Sequence, residues 1–246
     1  MLDAIDAIKA DRAALIGICS GLTEDQWQAP SGCEGWSVRN LVTHLANLFW
    51  LVVDGAHLPD TSGVPTERAQ DIGVEARRGM SAADVLADYE NVSDIGITRL
   101  AELAALDAEL PVSEDFGTYS TRVLPCAYVF DHYTHIRADL FAPRGPLAGH
   151  PPPSDELRVA PTLEWIDAAL PQQNRSAVGQ CTLEIQVTGT GARSIKFGSG
   201  PAAATICSDA PALVRWITQR GGWADLGVQA SGDEQALAVA KTLKVF

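Results

Sequence analysis

The sequence predicts an α+β protein that is mainly α, with a four-helix bundle followed by a small α+β domain. Before residue 142, apolar residues recur every three to four positions in several long stretches, which is the period of amphipathic helices. Five prolines and two glycines then crowd residues 142–155, where no helix can continue. Beyond them, short runs alternate apolar and polar residues, as strands do. We therefore expect the bundle at 1–142, a linker at 143–154 and the α+β domain at 155–246.

The first two helices are marked by their ends. An amphipathic pattern starts at the N-terminus and ends near Gly21. Ser37 stands at the N-cap position of the second helix, "VRNLVTHLANLFWLVV", because its hydroxyl can accept a bond from the first helical turn. Glycine, proline and mixed charge fill residues 55–80, which predicts a long loop that can include one helical turn.

The other two helices of the bundle follow the same logic. Ser81 caps the third helix. Residues 107–120 show no regular pattern and are predicted to be irregular. Pro125 suits the first turn of the fourth helix, because proline there sacrifices no helical hydrogen bond. We expect that helix to end near Phe141.

The second domain shows strand and helix patterns in turn. "TLEIQV", "SIKF" and "AAATICS" predict strands, and "GTGAR" between the first two predicts a hairpin turn rather than a phosphate-binding loop, because no helix follows it. "DAPALVRWITQR" and "GDEQALAVAKTL" predict helices, with "LGVQA" a possible strand between them. These elements together predict a compact α+β domain.

Composition limits the partners and the compartment. The formal charge of −13 argues against binding to nucleic acid or to an anionic membrane surface. No apolar run reaches the ~18 residues of a membrane span, and the N-terminus lacks a signal-peptide pattern, so we expect a cytoplasmic protein. The five cysteines are dispersed and are predicted to be reduced thiols: Cys19, Cys33, Cys126, Cys181 and Cys207.

A candidate metal site lies in "VFDHYTHIRADLF", residues 129–141. Asp131 and His135 are four positions apart, so a helix places them on one face where both can reach one metal ion. His44 lies in an apolar stretch of the second helix and is the natural third ligand, since a bundle brings facing helices together. The alternative is a surface Asp–His pair and a core histidine. His132 is about 100° around the helix from Asp131 and is expected to support the site from outside or to face solvent.

Three segments resemble one known family. "GWSVRNLVTHL", the acid-x-x-x-His pair in "DHYTHIRADL", and "LVRWITQRGGWADLGVQASGD" are similar to the mycothiol-dependent maleylpyruvate isomerase family. The resemblance implies a DinB-like metal-binding four-helix bundle with an α+β C-terminal domain. It also implies a divalent metal, most often zinc, bound by His44, Asp131 and His135. The departure is Asp131, where the family usually has glutamate, so the identity of the metal stays open.

The resemblance also implies a chemistry. In that family the thiol mycothiol adds to the double bond of maleylpyruvate, the bond rotates, and the thiol leaves to give the trans isomer. Arg220 matches the arginine of the family's C-terminal motif and is the candidate catalytic residue for a substrate carboxylate. Its alternative role is to cap a helix C-terminus before Gly221, and Arg77 and Arg78 are weaker candidates for the carboxylate.

The sequence leaves three functions open. The first is isomerisation of maleylpyruvate or a similar unsaturated acid, and the second is transfer of mycothiol onto an electrophile. The third is a non-catalytic metal-containing protein that binds a ligand, for which a fourth protein ligand such as His132 would be the sign. Cys33 is a weak candidate nucleophile, because no histidine lies near it in the sequence.

Overall fold

The computed structural model describes residues 2–246, so Met1, the first residue of the predicted bundle, lies outside the described part. The chain forms two compact units. One comprises the residues up to Glu109 together with Ser120–Pro153, and the other comprises Leu110–Tyr119 together with Ser154–Phe246. The second unit thus includes a segment that precedes the linker, whereas the domain bounds predicted from the sequence are continuous. Those bounds stay a prediction.

The first unit is a helical bundle. Its helices are α1 (Leu2–Cys19), α2 (Glu24–Gln28), α3 (Val38–Val53), α4 (Thr66–Ala76), α5 (Ala82–Leu106) and α6 (Leu124–Thr134), the last of which continues as a π-helical segment, His135–Leu140. The four long helices pack as α3 on α5 and α1 on both α5 and α6. The four-helix bundle that the sequence predicts is therefore confirmed.

The packing of α3 against α5 is close because of one glycine. A Cβ atom at Gly96 of α5 would lie 2.5 Å from Cδ1 of Phe49 on α3, a distance that no real contact allows. Phe49 and Tyr89 are both fully buried between these helices. The start of α3 is fixed by Ser37, whose side chain accepts from the Asn40 backbone N–H in a capping box, as predicted.

Two predictions about segments before the linker, residues 55–80 and 107–120, are wrong. Residues 55–80 contain the eleven-residue helix α4 rather than a single helical turn. Gly73 interrupts its apolar pattern, yet the same glycine lets α4 dock on α3, since a Cβ there would lie 2.9 Å from Asn47 Nδ2. Residues 107–120 contain a hairpin, β1 (Glu109–Ser113) and β2 (Gly117–Ser120), rather than irregular chain. Packing between distant segments decides both cases.

The second unit carries a four-stranded sheet. Its elements are α7 (Glu156–Gln173), β3 (Leu183–Thr188), β4 (Arg193–Phe197), β5 (Ala204–Asp209), α8 (Ala210–Ile217), β6 (Gln229–Gly232) and α9 (Glu234–Ala240). The strand order is β4-β3-β5-β6, with β3 and β5 parallel and both outer pairs antiparallel. The predicted strands, the hairpin turn and the α+β class are confirmed. The sequence does not predict the helix α7, because its two internal prolines obscure the helical pattern.

None of the helices within residues 2–246 is long and apolar enough to span a membrane.

Candidate metal centre

The three predicted ligands meet inside the bundle. His44 lies in the middle of α3 and is 5% exposed, while Asp131 and His135 lie one turn apart on α6 and the segment that continues it. His44 Nε2 is 3.2 Å from Asp131 Oδ2, and His135 Nε2 is 3.3 Å from Asp131 Oδ1. The two imidazole rings meet edge to face with centroids 5.0 Å apart. One carboxylate thus lies between two Nε2 atoms.

The other nitrogen of each ring is held by an oxygen acceptor. His44 Nδ1 is 3.1 Å from Gln70 Oε1, and His135 Nδ1 is 2.9 Å from Asp139 Oδ2. An amide or carboxylate oxygen accepts a hydrogen bond, so each Nδ1 is placed to carry the ring proton. In the neutral ring, which is the form that binds a metal, each Nε2 then has its lone pair toward the centre of the cluster. This is how proteins orient histidines that bind metals.

The spacing of the donor atoms fits a small divalent ion. Ligand bonds of about 2.1 Å at tetrahedral angles place neighbouring donors roughly 3.4 Å apart. The two nitrogen–oxygen distances, 3.2 and 3.3 Å, need almost no adjustment to reach that value. The donor set of His44, Asp131 and His135 falls within reach of one ion, and two imidazoles with one carboxylate suit zinc.

The electrostatics keep the central carboxylate charged. Burial alone would raise the pKa of Asp131, but the imidazoles of His135 and His44 outweigh it and hold that pKa well below its ordinary value. Burial alone would lower the pKa of His135, but Cys33 and the carboxylates of Asp131 and Asp139 raise it well above its ordinary value. Asp131 is therefore ionised at neutral pH, which is the form that coordinates a metal.

His132 takes no part in this cluster, and the prediction that it supports the site or faces solvent is wrong. It is fully buried, and both of its nitrogens are engaged elsewhere. Nε2 is 3.0 Å from the Tyr89 hydroxyl, and Nδ1 is 2.8 Å from the Tyr128 carbonyl oxygen. Its ring packs on Phe49. Burial lowers the pKa of His132, so the ring is neutral in the core.

A second group of potential ligands lies on the far side of His135. The thiol of Cys33 is 3.6 Å from His135 Nδ1 and donates to Asp139 Oδ2 at 3.3 Å. The sequence offers no histidine near Cys33, but the fold places the loop before α3 against the end of α6. A Cβ at Gly32 would lie 2.7 Å from Asp139 Oδ1, so this close approach requires the glycine.

A family model matches more than half of the chain. It is the mycothiol maleylpyruvate isomerase N-terminal domain, and it aligns with residues 8–137. The chain belongs to this family. The match includes His44, Asp131 and His135, and it ends before Asp139.

Solved structures resemble this family member over nearly its whole length. A mycothiol-dependent maleylpyruvate isomerase matches with a TM-score of 0.63 and 16% identity, over 94% of this chain and 92% of its own. A histidine-to-alanine variant of a mycothiol-dependent maleylpyruvate isomerase matches over the same shares of both chains, with a TM-score of 0.60 and 16% identity. At this identity the likeness establishes the fold, a helical domain with a small α+β domain. No curated protein matches the chain.

Arg220 of this family member lies at the end of α8, in the second unit. The helix ends at Ile217, and Gln219 adopts the left-handed conformation with φ +59°. The backbone N–H of Arg220 bonds to the Arg215 carbonyl at 2.6 Å, and its Nη1 donates to the Thr218 carbonyl at 3.2 Å. These bonds are those of a helix C-cap, and they support the capping interpretation. A catalytic role for Arg220 stays a prediction.

The weaker arginine candidates have partners of their own. Arg77 forms an ion pair with Asp88 and lies over the Trp50 ring, at 5.8 Å from its centroid. Arg78 pairs with Glu75 at 2.7 Å on the surface. Gln70 is one contact of the candidate metal centre that the sequence did not indicate, because it lies on α4, where the sequence predicts a loop.

Proposed function

We propose that the chain is a metal-dependent enzyme that uses the small thiol mycothiol to convert maleylpyruvate, or a similar unsaturated acid, from the cis to the trans isomer. Membership of the family and the name of the structural relatives support the reaction. The observation that carries the proposal is the carboxylate of Asp131 between His44 Nε2 and His135 Nε2. In this proposal the metal is zinc and the protein acts in the cytoplasm, without nucleic acid or membrane as a partner.

The chain's own residues prepare the site for a metal. His44, Asp131 and His135 would hold it, while Gln70 and Asp139 keep the two rings in the orientation and tautomer that binding requires. When bound, the metal supplies a positive charge that stabilises a thiolate and any negative charge that develops on the acid. Addition of the thiol would turn the carbon–carbon double bond into a single bond that can rotate, and elimination of the thiol would restore the double bond in the trans form.

Three protein ligands suit catalysis better than a purely structural metal. A structural zinc has four protein ligands, whereas a catalytic zinc keeps one position open. His132 was the natural fourth ligand, but its nitrogens are bonded to Tyr89 and to the Tyr128 carbonyl. Recruiting it would break two buried hydrogen bonds. This favours the enzyme over the non-catalytic alternative.

The carboxylates of the substrate need a cationic partner. We assign this role to Arg220, because a guanidinium binds a carboxylate with two parallel hydrogen bonds. One of its nitrogens already donates to the Thr218 carbonyl. In the proposal the guanidinium of Arg220 binds a substrate carboxylate, and the bond to the Thr218 carbonyl fixes the side chain.

Turnover of maleylpyruvate by the zinc-loaded protein tests the proposal. We expect the trans product to form only when zinc and mycothiol are both present, and glutathione to replace mycothiol poorly. Product formation is followed by chromatography, and the metal-free protein serves as the control. Consumption of mycothiol with a thioether product would instead identify an S-transferase. Equal rates with and without the thiol would overturn the proposed function.

A further inference from the structure

His135 presents a set of metal-binding atoms on each side of its ring. Nε2 faces Asp131 and His44, and Nδ1 faces Cys33 and Asp139. We call Cys33, His135 and Asp139 the thiol cluster, and its three ligand atoms lie within reach of one ion. Its distances are 3.6 Å from Sγ to Nδ1, 3.3 Å from Sγ to Asp139 Oδ2 and 2.9 Å from Nδ1 to Asp139 Oδ2.

The thiol cluster has the chemistry of a site for a soft cation. A thiolate, an imidazole and a carboxylate all bind zinc, and thiolate sulfur favours soft ions more than nitrogen or oxygen does. With a sulfur bond of about 2.3 Å and a nitrogen or oxygen bond of about 2.1 Å, a tetrahedral zinc places those two donors roughly 3.6 Å apart. The sulfur–nitrogen distance of 3.6 Å already has that value, and the sulfur–oxygen distance of 3.3 Å is about 0.3 Å shorter. The distance between His135 Nδ1 and Asp139 Oδ2 has to lengthen most, by about 0.5 Å from 2.9 Å.

The cluster is built into the fold rather than scattered over a surface. Asp139 is fully buried, and His135 is 7% exposed. The backbone N–H of Gly32 donates to the Asp139 carbonyl at 2.8 Å, which holds the Cys33 loop against α6. Arg144 Nε lies 3.6 Å from Asp139 Oδ1, on the oxygen that does not face the cluster. Cys33 itself is half-buried.

The two positions exclude each other because a neutral imidazole has a single lone pair. An ion at Nε2 needs the ring proton on Nδ1, where it is donated to Asp139. An ion at Nδ1 needs that proton on Nε2, where the Asp131 oxygen at 3.3 Å accepts it. Each tautomer thus finds an acceptor on the side that the ion leaves open. Binding at the thiol cluster also releases the Cys33 thiol proton to water.

We propose that Cys33, His135 Nδ1 and Asp139 form a second metal position, exclusive of the one at His44 and preferred by thiophilic cations such as Cd²⁺. A thiophilic ion there takes His135 away from the first position and displaces zinc from it. The inference does not require the protein to be an isomerase, since it concerns metal binding alone.

Cadmium itself is the probe. The wild-type protein is loaded with one equivalent of Zn²⁺ and titrated with Cd²⁺ in the presence of a zinc-sensitive dye. We expect a thiolate-to-cadmium absorption to grow in the ultraviolet while one zinc ion per chain is released. The Cys33→Ser variant should lose this absorption and bind Cd²⁺ at least about tenfold more weakly, with its zinc affinity nearly unchanged.

Two matched variants separate the positions. Cys181→Ser removes a half-buried thiol of the second unit and should behave as wild type. Asp131→Asn should lose zinc affinity but keep the cadmium absorption. The proposal is overturned if the wild type shows no such absorption, if the absorption persists in Cys33→Ser, or if Cd²⁺ binds without releasing zinc. The displacement experiment uses the wild-type protein and so stands even if a variant fails to fold.

Discussion

His132 and His135 lie three residues apart on the same helical stretch, yet their surroundings differ completely. His132 is enclosed by Tyr89, Phe49 and a backbone carbonyl, and both ring nitrogens have a partner in the core. His135 has carboxylates on both sides, at 3.3 and 2.9 Å. The His132 ring is neutral and packs in the core, whereas the His135 ring belongs to a cluster of charged groups.

The difference shows what distinguishes a candidate ligand from a core histidine. A core histidine satisfies its nitrogens with neutral groups, and burial then lowers its pKa, as in His132. In a candidate metal site one ring nitrogen bonds to an oxygen acceptor, and the other ring nitrogen faces a carboxylate that could bind the same metal ion. His44 follows the second pattern, with Gln70 on one side and Asp131 on the other. Burial alone does not separate the two classes, because all three rings are buried.

The largest loss of zinc affinity is expected from substitution of Asp131. Asp131→Asn removes the charge that both imidazoles share, so zinc affinity should fall by more than about 100-fold, beyond the usual loss for outer groups. Asp131→Glu keeps the charge on a longer side chain and should retain most of the affinity. Competition with a chelating dye measures both. Equal affinities in Asp131→Asn and wild type would show that the carboxylate is not a ligand.

A smaller loss of zinc affinity is expected from substitution of Asp139, which orients His135. Asp139→Asn should weaken zinc binding by about 10–100-fold, because the ring loses its charged acceptor. Asp88→Asn is the matched control, since Asp88 accepts from Trp50 Nε1 at 3.2 Å and pairs with Arg77 rather than with a candidate ligand. If both variants bind zinc like wild type, Asp139 has only a packing role.

Loss of the hydrogen bond to His132 in the core should lower the stability of the protein without changing its zinc affinity. Tyr89→Phe removes the hydroxyl at 3.0 Å from His132 Nε2 and leaves a buried nitrogen without its partner. We expect the free energy of unfolding to fall by roughly 1–3 kcal/mol, measured by urea denaturation of the metal-free protein. Zinc affinity should not change. A parallel loss of affinity would place His132 in the metal centre and break the contrast with His135.

Arg220 should have the smallest effect on stability and none on metal content. Arg220→Ala removes the bond to the Thr218 carbonyl and should cost up to about 1 kcal/mol of unfolding free energy. Arg220→Lys keeps the charge but loses the planar fork, so KM for a dicarboxylate substrate should rise. Lower stability with unchanged turnover in both variants would leave Arg220 as a cap only.

Local spacing predicts part of this molecule well. The helical period and the capping residue Ser37 predict α3, and the i, i+4 rule brings Asp131 and His135 together. The same spacing also connects His135 with Asp139, so that contact follows from the rule as well. Gln70 and Cys33 do not follow from it, because each reaches its partner through packing between segments far apart in the chain. His132 is missed for a related reason, since helical angle alone cannot tell a solvent face from a second buried face.

Zinc content of two single-histidine variants tests the central claim most directly. His44→Gln and His132→Gln are purified, equilibrated with zinc, freed of unbound metal and analysed by mass spectrometry beside the wild type. We predict one zinc per chain for the wild type and for His132→Gln, and almost none for His44→Gln. Full zinc content in His44→Gln, or its loss from His132→Gln in a folded protein, would contradict the assignment of His44, Asp131 and His135 as the metal centre.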